Sequence, residues 1–185
     1  MAYRNGTYVA FHANGTAEPT ESDMKYYNLL KAWKVRSDGE FEFVNSHDKT
    51  AAVRDSSSRE TLRARLAERL RNSKNMLLII GDTTRFDTDW VPFEIEYAVD
   101  TCKIPIIAAY PQYEYILRPG DLRPLWPAAL AKRIDNGTAH VIHIPFKQAP
   151  LTDALPRFAP DALPVGGGLT YYSPDAYRSF GINVR

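Results

Sequence analysis

The chain has 185 residues, 44% of them apolar, and a formal net charge of +1; this suits one domain with a sizeable core and argues against a polyanion partner such as nucleic acid. Cys102 is the single cysteine, which excludes an intramolecular disulfide and a cysteine-cluster metal site and points to a reducing compartment. No run is long enough to span a membrane, and MAYRNGTYVAFHANG carries no secretory core, so a cytoplasmic location without a membrane partner is expected.

TYVAFHA (7–13) reads as a short apolar strand that ends at the turn residues Asn14 and Gly15. Thr20 to Asp23 offers a helix start, and Met24, Tyr27, Leu30 and Trp33 then keep helical spacing. FEFVN (41–45) alternates as a strand does, and 46–56 is a polar loop expected to be mobile. Ser57-Ser58-Arg59-Glu60 fits a capping box, followed by the stripe Leu62, Leu66, Leu70. Arg63, Arg65, Arg69 and Arg71 on that helix read as its solvated face.

NMLLII (75–80) is a nearly continuous apolar run closed by Gly81, the pattern of a strand buried on both faces. A helix begins near Trp90, and KIPIIAAY (103–110) is another buried strand. A Pro-rich loop, a short helix at 125–134 and a last strand AHVIHIPF (139–146) follow. The three Asn-Gly-Thr triplets at Asn5, Asn14 and Asn136 read as turns.

Strands thus alternate with helices, which predicts a flavodoxin-like α/β fold: an open, mostly parallel five-stranded sheet with helices on both faces. Ligands of such sheets sit outside the carboxyl ends of the strands. The domain is expected to span 1–147. Beyond it, Pro150, Pro156, Pro160, Pro164 and Gly166-Gly167-Gly168 predict an irregular tail, 148–185, with the glycines as a flexible link. Its aromatics Tyr171, Tyr172 and Phe180 are expected to dock on the domain.

Several chemistries find no support. There is no phosphate-binding glycine loop, no nucleophile elbow and no convincing metal set. His140 and His143 are three apart on a strand and point to opposite faces. His12 and His47 lack carboxylate or thiolate companions.

DTDWVPFEIEYAVD (87–100) stands out. At about 100° per residue, Val91, Ile95, Ala98 and Cys102 form a buried stripe, with Glu94 roughly 70° from its middle and Glu96 roughly 130° away, in solvent. Glu94 is then a partly buried carboxylate in the first turns of a helix. It reads either as a helix-end charge or as a group at the ligand edge. Trp90 reads equally as a core anchor or a pocket wall. Thr84 reads as a loop cap or as a donor to a phosphate or ribose oxygen.

Four segments carry a resemblance: YVAFHAN (8–14), FEFVNSHDK (41–49), MLLIIGDTT (76–84) and, most specifically, DWVPFEIEYA (89–98) with its Trp-Val-x-x-Glu-Ile-x-x-Ala pattern. Together they resemble the TIR-like domain family that includes the Thoeris anti-phage defence proteins. The resemblance implies that Glu94 is a catalytic carboxylate. It implies that NAD is a substrate rather than a bound cofactor, cleaved between nicotinamide and ribose to an ADP-ribose-derived signal, cyclic in some members. Phe11, His12, Ala13, Asn14, Asp48, Thr84 and Trp90 would then line the substrate site, with no metal. Self-association through TIR-like surfaces and an effector reached through the nucleotide signal are the implied partnerships. His12 stands where a small Ser is common in the family. Two other readings stay open: a non-catalytic TIR-like interaction module, and a nucleoside deoxyribosyltransferase-like enzyme, which shares the fold and a ribose-directed carboxylate.

Overall fold

The computed structural model describes residues 4, 6–13, 23–36, 43–44 and 59–185. The loop 46–56 and the capping box at Ser57 lie outside these residues. In chain order the elements are β1 (Gly6–Ala10), α1 (Met24–Arg36), β2 (Phe43–Val44), α2 (Arg59–Arg71), β3 (Ser73–Ile79), α3 (Trp90–Glu96), β4 (Ile106–Tyr110), α4 (Ala128–Asp135), β5 (Val141–Pro145), α5 (Gln148–Arg157), β6 (Thr170–Tyr171) and α6 (Pro174–Ser179). The strands form one sheet in the order β2-β1-β3-β4-β5-β6, and every pairing is parallel. The first five strands are the expected flavodoxin-like sheet, and β6 adds a two-residue strand at one edge.

Alternation along β3 divides the core in two. Met76, Leu78 and Ile80 face a layer built with Leu66, Leu70, Val91, Ile95 and Leu130, from α2, α3 and α4. Leu77 and Ile79 face the opposite layer, with Tyr27, Leu30, Leu151 and Tyr177, from α1, α5 and α6. Strands covered on both sides favour apolar residues on both faces, which is why the run Met76 to Ile80 has no polar alternation.

The helix after β3 is not regular throughout. Trp90–Glu96 is α-helical, and Tyr97–Cys102 is π-helical. The wider turn lets Ala98, Val99 and Cys102 all reach the core. Lys103 ends it in the left-handed region, at φ 55°. Of the three Asn-Gly-Thr triplets, the one at Asn136 is described in full. Gly137 takes φ 72° there, and Asn136 Oδ1 accepts the Thr138 amide at 3.1 Å.

The segment 148–185 is more ordered than its prolines and glycines predict. Residues Gln148–Arg157 form a helix: Pro150 falls in its first turn, where amides have no helical partner, and Pro156 lies inside its last turn, where it forgoes one helical amide. Polar anchors tie the segment to the sheet. Buried Asn75, in the middle strand, donates to the carbonyls of Leu155 (2.9 Å) and Phe158 (2.7 Å) and accepts from Thr7 (2.7 Å). The Tyr177 hydroxyl donates to the Ile116 carbonyl and accepts the Ile116 amide, both at 3.1 Å. Tyr172 is buried, donating to Asp153, and Phe180 packs edge-on against it, 5.1 Å between ring centres. Tyr171, expected to dock, is instead 45% exposed, because β6 alternates and its neighbour takes the inner side.

The glycine run is a seated turn rather than a flexible link. Gly167–Leu169 is one 3-10 turn, and a Cβ on Gly168 would meet Ile134 at 3.0 Å. The Gly168 carbonyl lies 2.9 Å from His143 Nε2. His143 Nδ1 lies 2.7 Å from the Tyr110 hydroxyl, which accepts the Trp126 indole N–H at 2.9 Å. A carbonyl can only accept, so His143 carries its proton on Nε2, and Nδ1 accepts a hydrogen bond from the Tyr110 hydroxyl. Burial lowers the His143 pKa to about 4 and raises that of Tyr110. All members of this chain are therefore neutral at pH 7.

Candidate functional site

The strand order reverses between β1 and β3, since β2 lies outside β1 and the chain then crosses to the other side. In open parallel sheets the crevice at the carboxyl ends of such a strand pair is where ligands bind. His12 follows β1 here, and Gly81 to Thr84 follow β3.

A buried latch joins these ends. The Asp23 amide donates to the His12 carbonyl at 3.2 Å. The Thr84 hydroxyl donates to Asp23 Oδ2 at 2.7 Å and accepts the Gly81 amide at 2.8 Å. A Cβ on Gly81 would fall 2.0 Å from Asp23 Oδ1, so the carboxylate occupies space that only glycine leaves. Burial raises the Asp23 pKa, opposed by the Thr84 hydrogen bond and the nearby His12. His12 is half-buried, with Nδ1 3.1 Å from the Thr83 hydroxyl.

The next residues set the start of α3. Asp87 Oδ1 accepts the amides of Asp89 (2.8 Å) and Trp90 (3.0 Å), satisfying donors that a helix start leaves open. Asp89 pairs with Arg59 and Arg63 of α2. The Arg59 guanidinium lies 6.0 Å from the centre of the half-buried Trp90 ring, and that of Arg63 lies 5.0 Å from Phe93.

One turn on, Glu94 is at 0% exposure, deeper than the partly buried position its helical angle predicts. The reason lies across the core. The Tyr8 hydroxyl, on β1 and also at 0% exposure, donates to Glu94 Oε1 at 2.5 Å. That is the short end of the range for a hydroxyl on a carboxylate. Burial pushes the Tyr8 pKa far up, against a smaller pull from Arg69, so the phenol keeps its proton and acts as a donor. A polar partner inside the layer offsets part of the cost of taking the carboxylate out of water.

Residues 8–115 match a family model described as Thoeris protein ThsB, TIR-like domain, which is more than half of the chain. The chain belongs to this TIR-like domain family of Thoeris defence. Its matched span in this TIR-like domain runs from Tyr8 through β4 and includes the crevice, the latch and Glu94. Among the described residues, no helix is long and apolar enough to cross a membrane.

The candidate residues of the TIR-like site do not all converge. Phe11 lies in the layer opposite to Glu94, stacked on Tyr27 at 5.4 Å between ring centres, and Ala13 packs against that same layer. Thr84 is fully buried and its hydroxyl serves the Asp23 latch, the loop role rather than an exposed donor. His12 is at the crevice, and Trp90 flanks the start of α3. Asn14 and Asp48 lie outside the described residues. Sequence reasoning missed Tyr8 and Asp87, and read Asp23 only as part of a helix start. Asp87, three residues before Trp90, carried a legible capping signal; Tyr8 carried none, because its partner is 86 residues away.

Proposed function

We propose that this TIR-like domain cleaves NAD, with Glu94 as the catalytic carboxylate. The observation that supports this reading is the placement of the Trp-Val-x-x-Glu-Ile carboxylate, with a tyrosine hydroxyl on Oε1, on the helix that follows the β1/β3 crevice. Nicotinamide is a good leaving group and departs neutral, with the electrons of the bond to ribose C1′. The ribose passes through an oxocarbenium-like state, which a fixed carboxylate stabilises and orients. Water, or another nucleophile of the same or a second molecule, then adds to C1′ and gives up a proton. The product is an ADP-ribose, hydrolysed, cyclised or conjugated, which serves as the signal to a defence effector. Self-association of TIR-like surfaces assembles the active form in the cytoplasm. Glu94 is closed from solvent, so reaction requires the site to open around the ribose.

The test is nicotinamide release and mass analysis of products from NAD, alone and in lysate of infected cells. Glu94→Gln should lower cleavage by at least about a hundredfold. Glu96→Gln is the control: Glu96 is exposed and 3.6 Å from Arg133, and its loss should leave cleavage nearly intact. Equal loss in both variants would indicate a folding or assembly effect. Full activity in Glu94→Gln would refute the assignment and move the role to another carboxylate, with Asp82 the next to test, whereas no NAD turnover by the wild type under any of these conditions would favour a non-catalytic interaction module.

A further inference from the structure

We propose that Tyr8 is a positioning residue for Glu94, fixing the orientation of its carboxylate and holding it ionised. The inference rests on the catalytic reading of Glu94 and extends it to the residue that donates to its carboxylate. The contact is short, 2.5 Å, and neither residue has exposed surface. Tyr8 stands on a strand paired on both sides, registered with Val44 and Met76. Its backbone cannot shift without breaking two ladders, so the hydroxyl is a fixed point.

A fixed donor has two effects on a carboxylate. It selects one rotamer and one face, and it favours the charged form over the protonated one. Both matter for a group that must meet positive charge developing at a ribose carbon. Among the described residues, Arg69 on α2 is a cation whose field reaches Tyr8. Arg59 and Arg63 on α2 serve Asp89 at the start of α3, and Glu96 faces Arg133 on α4.

The experiment uses the full chain carrying Tyr8→Phe, which removes one oxygen and keeps the ring. The first readout is independent of turnover: the carboxyl-carbon NMR signal of Glu94, assigned by its loss in Glu94→Gln, is titrated. In Tyr8→Phe its midpoint should rise by about one pH unit. The second is nicotinamide release from NAD, where kcat should fall about tenfold with KM little changed, and the acid limb of the pH profile should move up. A purely structural tyrosine would lower the melting temperature and leave the midpoint in place. Should Tyr8→Phe fail to fold, 3-fluorotyrosine at position 8 keeps the contact with a more acidic donor, and the midpoint should move down. An unchanged midpoint in the folded variant, with Glu94→Gln inactive, overturns the role of Tyr8 alone. Full activity in Glu94→Gln overturns the catalytic reading beneath it.

Discussion

On the β4–β5 side of the sheet, Trp126 donates to Tyr110, Tyr110 to His143 and His143 to the Gly168 carbonyl. On the β1 side of the same layer, Tyr8 donates to Glu94. Both arrangements bury a tyrosine hydroxyl and a titratable partner. In the first, each step passes between neutral groups and the last acceptor is backbone, so burial costs little once all bonds form. In the second, the acceptor is a carboxylate, whose burial is costly in either protonation state. A closed neutral chain needs nothing but itself and holds the C-terminal segment in place. A buried acid is an expensive way to fill the same kind of space, which is part of the reasoning behind the role proposed for Glu94.

The comparison can be broken first by removing what the neutral chain holds. A protein ending after Lys147 loses the two carbonyls that satisfy Asn75 and the aromatic cover over Val9, Leu77 and Ile107. It should lack a cooperative melting transition and aggregate, as read by calorimetry and size-exclusion chromatography. An unchanged melting temperature would make the segment an accessory and the contrast void.

His143→Phe is the next in size. It keeps the stacking on Trp126, at 5.3 Å between ring centres, and removes both hydrogen bonds. The Tyr110 donor and Gly168 acceptor are left buried, a loss of about 2 to 4 kcal/mol in urea denaturation. NAD cleavage at a temperature where the variant is folded should be little altered.

The smallest expected effect is on pH dependence. The folded His143 pKa, about 4, lies below the ordinary value of 6.5. Above pH 6.5 both states are neutral and nothing is lost. Below it the unfolded chain takes up a proton that the native state refuses, so stability falls, by about 2 kcal/mol at pH 5. Asp23 works in the opposite sense, since burial raises its proton affinity in the folded state. The His143 contribution is therefore read as the difference between wild type and His143→Phe across this window, and parallel curves for the two would refute it.

Much of the fold was legible because it depends on local pattern. The apolar run at 75–80 and the spacing of Val91, Ile95, Ala98 and Cys102 lead to a covered sheet and to the side of α3 that meets it. Glu94 was legible through its motif, but its depth was not, since that is set by Tyr8 across the core. The C-terminal helix was hidden because prolines at its two ends look, in sequence, like prolines that break it. Gly168 looked like a hinge because the histidine and Ile134 that seat it are brought together only by the sheet.

Asn75 has a consequence in time as well as in space. Its amide waits for carbonyls 80 and 83 residues downstream. Synthesis proceeds from the N-terminus at about 5–20 residues per second, so Tyr8, Asn75 and Glu94 have all left the ribosome several seconds before Phe158. During that interval the middle strand is made but not satisfied, and one apolar flank of the sheet is open to chaperones and proteases. Quality control in the cell therefore sees this domain as unfinished until nearly the whole chain has emerged.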